Sequence, residues 1–228
     1  MSMVALLRYQ AANLFRSHRW ILPLILYVLL ISVGGVNSGS AAVTAHLRAE
    51  NLADGLDWSA GILVPIVALL TRSMLTAEPA AARACVSAAS GPVRAQLATL
   101  LTALAGGAVL GVAGACYELV TAGHKTGLLV PFFAGLGKAL VCVLVGSAVG
   151  TLFNPPVIRH QAAALLSTIA AVVVAWVSTI SPANAALRGN GATFQSAAWP
   201  VGVPVIAAFA LVAASWGVSC WLAGRRGG

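Results

Sequence analysis

Residues 128–153 read LLVPFFAGLGKALVCVLVGSAVGTLF, an apolar run whose single charge is Lys138. A helix over this run, rising ~1.5 Å per residue, reaches roughly 39 Å and can cross the ~30 Å hydrocarbon core of a bilayer. Five further apolar blocks accompany it: Trp20 to Val36, Trp58 to Leu75, Ala95 to Thr121, Gln161 to Ile180 and Val201 to Ala223. The expected fold is an all-α polytopic membrane protein, a single domain over 1–228 with six transmembrane helices. Composition agrees, with 60% hydrophobic residues, 8% charged ones and a mean hydropathy of +0.94, beyond what a soluble domain carries. Six spans of ~20 residues occupy roughly 120 positions, and the remainder is divided among two ends and five connections. That leaves no room within these residues for a soluble domain of ~100 residues, so a nucleotide-hydrolysing, solute-capturing or DNA-binding module is not expected here.

The net charge of +8, from 13 Lys and Arg against 5 Asp and Glu, would suggest nucleic acid in a soluble protein. Its placement suggests orientation signals instead, because Lys and Arg collect in short cytoplasmic connections. With the N-terminus inside, Arg8, Arg16, Arg19, Arg72, Arg83, Arg94, Arg159, Arg225 and Arg226 are cytoplasmic, against Arg48, Lys125 and Arg188 outside. Both termini are therefore expected in the cytoplasm of a multi-pass protein of the cell membrane, with the lipid bilayer as partner and no nucleic acid. Trp20 and Trp221 then fall at inner boundaries and Trp58, Tyr117 and Trp199 at outer ones, as amphipathic rings at headgroup level should. The four cysteines show no Cys-x-x-Cys spacing and read as reduced, small apolar residues. The block beginning at Trp20 exceeds the length of a signal-peptide core and is expected to remain as the first span.

Three connecting segments carry more than turn chemistry. In residues 1–19, Val4, Leu7, Ala11 and Leu14 recur at helical spacing while Arg8, Arg16 and Arg19 gather elsewhere; this reads equally as an interfacial helix or as a helical positive-inside flank. In 76–94, Thr76-Ala77-Glu78-Pro79 looks like a helix start and Ser90-Gly91-Pro92 a break, giving a short cytoplasmic helix over Pro79 to Ala89. The outer segment 181–200 exceeds a minimal turn; its composition favours a surface loop over one or two short helices dipping into the membrane. Pro65 lies inside the second span, where an interior proline kinks or breaks a helix. Gly107-x-x-x-Gly111 and Gly146-x-x-x-Gly150 put small residues on one helical face and read as close helix packing.

Several chemistries fail on their own residues. A phosphate-binding loop needs G-x-x-x-x-G-K-S/T, but Gly137-Lys138 is followed by Ala139, so ATP hydrolysis is not expected. His18, His46, His124 and His160 lie at boundaries or in connections, which disfavours an intramembrane serine protease. Asn154-Pro155-Pro156 and Pro182-Ala183-Asn184 are mismatched and do not form the paired half-helix turns of a six-span channel. His46, Glu50 and Asp54 at i, i+4 and i+8 could line one side of a helix as metal ligands, but a solvated face is the preferred reading and no metal or cofactor is assigned to the chain. Lys138 is the one basic residue near mid-membrane, a pathway or gate candidate by default; snorkelling outward and pairing with Glu118 are the structural alternatives. No acidic residue is expected deep inside a span, which counts against a proton- or sodium-coupled carrier.

The basic stretch Arg8-Tyr9-Gln10-Ala11-Ala12-Asn13-Leu14-Phe15-Arg16-Ser17-His18-Arg19-Trp20 before the first span resembles the start of a type-2 ABC exporter permease, the transmembrane subunit of that family. Glu78 and, further on, Ser90-Gly91-Pro92-Val93-Arg94 resemble the family's acidic cytoplasmic helix and its closing turn. The resemblance spans six helices, both ends and the outer segment. It implies a non-catalytic subunit that pairs with a second permease subunit, as homodimer or heterodimer, and sits on a separate ATP-binding cassette subunit that holds ATP and Mg. Arg8, Arg16 and Arg19 then belong to the elbow helix, and Glu78, Arg83 and Arg94 to the coupling loop. The Ala-rich helix lacks the Gly-Thr often found after the acidic residue, and no Lys leads into span three. The expected function is export of a hydrophobic or amphipathic substrate such as a drug, lipid or peptide. The alternative is an ATPase-independent secondary carrier, or a membrane scaffold or regulatory subunit.

Overall fold

A computed structural model describes residues 2–35, 45–122, 129–153, 160–188 and 202–226. Among these the chain is all helical: α1 (Met3–Arg16), α2 (Ile21–Gly35), α3 (Ala45–Leu75), α4 (Ala80–Ser90), α5 (Pro92–Ala122), α6 (Leu129–Leu152), α7 (Gln161–Val177), α8 (Pro182–Arg188) and α9 (Gly202–Arg226). Four of them, α3, α5, α6 and α9, are long and apolar enough to cross a membrane. The count rises to six if α1 with α2, bent by 70°, and α7 with α8, bent by 41°, are each one span.

The bundle is organised around α3 and α6. Ile62, Leu63, Val64, Ile66, Val67 and Ala68 of α3 are all buried, as is every residue of α6 from 141 to 151. A helix apolar and buried all round belongs at the centre, and α2, α5, α7 and α9 surround these two. Lipid tails are as apolar as the side chains, so helices in a bilayer associate by close packing rather than by water release. The glycine spacing supplies that closeness. A β-carbon on Gly146 would lie 2.7 Å from the Val64 carbonyl oxygen, and one on Gly150 2.8 Å from that of Ala68. Backbone cannot yield as a side chain can, so these two glycines let α6 lie directly on α3. Gly107 and Gly111 of α5 face Val67 and Leu63 of α3 and Val143 of α6, closing the third side.

Two features extend the sequence reading. The helix carrying the second apolar block begins at Ala45, well before Trp58, so Asp54 and Asp57 are helical residues and not part of a connection. The outer segment contains the short helix α8 where its composition favours a loop; residues 189–201 lie outside the described part. Pro65 sits within an uninterrupted α3. The bundle has a basal end, formed by α1, α4 and the last turns of α9, and a distal end that carries α8. At the basal end Gln96 of α5 donates to Ser219 of α9 over 3.0 Å.

Candidate functional site

At the basal end, α1 and the α3–α4 connection form one polar plate. Leu6 and Gln10, one turn apart on α1, are its buried face, while Val4 is exposed and Leu7, Ala11 and Leu14 are half-buried. The side of α1 that meets protein is thus offset from the apolar stripe the spacing predicts. Its centre is polar: the Gln10 amide Nε2 donates to Glu78 Oε1 at 2.9 Å. Ser2 caps the helix by accepting from the Ala5 amide, and His18, with φ of 53°, makes the corner between α1 and α2. That corner brings Arg19 to the Thr76 carbonyl oxygen, to which its guanidinium donates at 2.9 Å.

The end of α3 leaves carbonyl groups without helical partners, and arginines satisfy them. Arg83 of α4 donates to the carbonyl oxygens of Leu75 at 2.8 Å and Glu78 at 3.1 Å, tying α4 to the end of α3 and to the connection, while the helix itself packs against α5. Pro79 precedes the first turn of α4, where its missing N–H costs nothing, and its carbonyl accepts from the Arg83 amide. Gly91 ends α4 with φ of 86°, a conformation that a β-carbon opposes, and Pro92 opens α5. Among the six expected coupling residues, Arg19, Glu78 and Arg83 are joined to the plate by hydrogen bonds, and Arg8, Arg16 and Arg94 are exposed. Gln10 and Thr76 are members that charge-based reading missed. The outward side of α4 is small and smooth, with Ala81, Ala84, Cys85, Ala88 and Ala89 exposed.

Toward the distal end lies the second polar site. Lys138 of α6, only 3% exposed, donates to both carboxylate oxygens of Asp57 on α3, at 2.6 and 2.8 Å. It neither snorkels outward nor pairs with Glu118. Asp57 is 26% exposed, so the pair runs from the core toward a cavity beside α3. Asp57 lies roughly 27 Å from Leu75 along α3 at ~1.5 Å per residue, placing it within the helical stretch Asn51–Leu75 that is apolar enough to span. Glu118 of α5 is also buried, against Gly55 of α3, and its Oε1 has no hydrogen-bond partner among the described residues. Two carboxylates therefore lie in helices apolar enough to span, Asp57 on α3 and Glu118 on α5, both toward the distal ends of those helices.

Of the possible metal row, the side chains of His46 and Glu50 lie outside the described residues. Among the described residues no group of three His, Cys, Asp or Glu could hold a metal ion. Comparison with protein-family models, with curated proteins and with solved structures returns no match.

Proposed function

We propose that this chain is the membrane-spanning permease subunit of an ATP-driven exporter of type-2 ABC architecture, working with a separate ATP-binding subunit. In this reading the bundle has six spans, α2, α3, α5, α6, the α7–α8 pair and α9, with the basal end in the cytoplasm of the cell membrane. The observation that carries it is the Gln10–Glu78 hydrogen bond, which joins the elbow helix α1 to the α3–α4 connection. A flank that merely orients a protein needs no such bond. A force-transmitting surface does, because movement of α4 must reach the spans without being lost in a slack loop.

The mechanism follows from the connections. A partner bearing on the exposed face of α4 acts on α3 through the Arg83 bonds to Leu75 and Glu78, and on α1 and α2 through Gln10 and Arg19. Because α3 is packed without intervening side chains on Gly146 and Gly150, its displacement carries α6 with it. Closure of the ATPase dimer below is thereby converted into relative movement of the central helices along the pathway. A second reading, an ATPase-independent carrier, draws support from the Lys138–Asp57 pair and the buried Glu118, since intramembrane ionisable groups mark ion pathways.

Isolation of the tagged protein from its own membranes, with cross-linking before detergent, separates the two. Stoichiometric recovery of an ATP-binding subunit whose hydrolysis requires this chain is the expected result; recovery of the chain alone after cross-linking contradicts it.

A further inference from the structure

The cavity that Asp57 reaches has a volume of about 590 Å³ and lies between α2, α3, α7 and α8. That is within the range of roughly 300–1,000 Å³ typical of sites for drug-sized ligands. Its polar groups are mostly acceptors. Asp54 and Asp57 line it one helical turn apart on α3, and Asp54 is exposed. Asp57 already accepts two bonds from the Lys138 ammonium, which shows the chemistry the carboxylate serves. A carboxylate has about four lone-pair sites, so acceptor capacity remains.

A third acceptor comes from α8. Asn184 lines the same cavity, is 5% exposed, and places its Nδ2 against the Trp176 carbonyl oxygen, which fixes the sense of the amide. Its Oδ1 is buried and has no hydrogen-bond partner among the described residues. A buried acceptor left unpaired costs free energy that a ligand donor would recover. Two indoles complete the lining. The Nε1 of Trp58 donates to the Leu30 carbonyl oxygen at 3.1 Å and that of Trp176 to the Gly61 carbonyl oxygen at 3.2 Å. Both ring donors are thus already engaged by backbone. What the rings still offer is apolar surface and a negative π-face, the partners of a weakly hydrated cation. Arg188 is the one basic residue of the lining; it is exposed in the last turn of α8, so its guanidinium remains hydrated at the rim.

We infer that this groove is a binding site for an amphipathic organic cation, a protonated amine on an apolar body, whose N–H groups can donate to these acceptors. The cationic head is held by Asp54, the free acceptor sites of Asp57 and Asn184 Oδ1, and the apolar body lies against Trp58 and Trp176. On the permease reading, on which this step rests, the inference names the class of cargo. Binding itself needs no ATPase, so a failure of this site and a failure of that reading are told apart by separate experiments.

The test uses the full chain in lipid nanodiscs with radiolabelled imipramine, a protonated amine on an apolar body, as cation and anilinonaphthalene sulfonate as anion, each corrected against empty nanodiscs. Saturable binding of one imipramine per chain is expected, weakened ~10-fold or more by Asp54→Asn and restored by Asp54→Glu. Asp54 is exposed, so neither change threatens the fold. Absence of saturable cation binding, equal affinity in Asp54→Asn, or saturable anion binding that Arg188→Gln removes would each overturn the assignment.

Discussion

Lys138→Met lowers the stability of the protein by about 3 kcal/mol, at the low end of the cost of leaving one member of a buried ion pair alone. The lower end applies because Asp57 is 26% exposed and water at the cavity relieves part of the penalty. Asp57→Leu in the same background removes the uncompensated charge and restores most of the loss, since replacing both members of a buried pair by apolar groups is often neutral. Thermal unfolding of the single and double variants in detergent checks the sign of both changes. The double variant also separates two roles for the pair. If Lys138 and Asp57 serve only to hold α6 against α3, the stable double variant keeps its activity; if they form part of the pathway, it is stable and inactive.

Charge reversal on the basal plate has the larger effect on activity. Arg83→Glu together with Arg94→Glu is expected to lower the ATPase turnover of the isolated complex by ~10-fold or more, a barrier of about 1.4 kcal/mol, while the chain still inserts. The two residues act differently. Arg83 ties α4 to the last carbonyl of α3, at Leu75, and to that of Glu78 in the connection, so its reversal frees α4 from the span it should move. Arg94 is exposed beside the turn at Gly91 and is available to a partner. Arg83→Gln retains a donor for the carbonyls and is expected to recover part of the activity, whereas an unaltered turnover in the double reversal would remove this loop from the coupling path.

Helical class, the four long apolar helices and the short helix after Pro79 were legible in the sequence because each rests on local chemistry: hydropathy, a proline start and a glycine stop. The Gly146 and Gly150 spacing likewise predicted close packing, though not that α3 backbone is what it meets. Asp57 was hidden by the same rule that found the spans. A hydropathy boundary falls where charges appear, so the apolar block opens only at Trp58, and the uninterrupted helix from Ala45 brings Asp54 and Asp57 into the bundle. Lys138 was visible as an isolated charge, but its partner is 81 residues away and no spacing rule reaches it. Gln10 was overlooked because it is uncharged, and its significance comes entirely from where the 70° corner places α1. Alternation and charge do not report such tertiary geometry.

In the permease reading, the outward face of α4 receives a separate ATP-binding subunit. Cys85 provides a natural handle: it is exposed on that face, Cys142 and Cys220 are buried, and Cys116, exposed on α5, can be changed to Ser. A benzophenone maleimide attached to Cys85 in native membranes and activated by light should yield one dominant adduct with an ATP-binding subunit, lost in Cys85→Ser. Efficient labelling of Cys85 with no adduct to any ATP-binding protein would contradict the account.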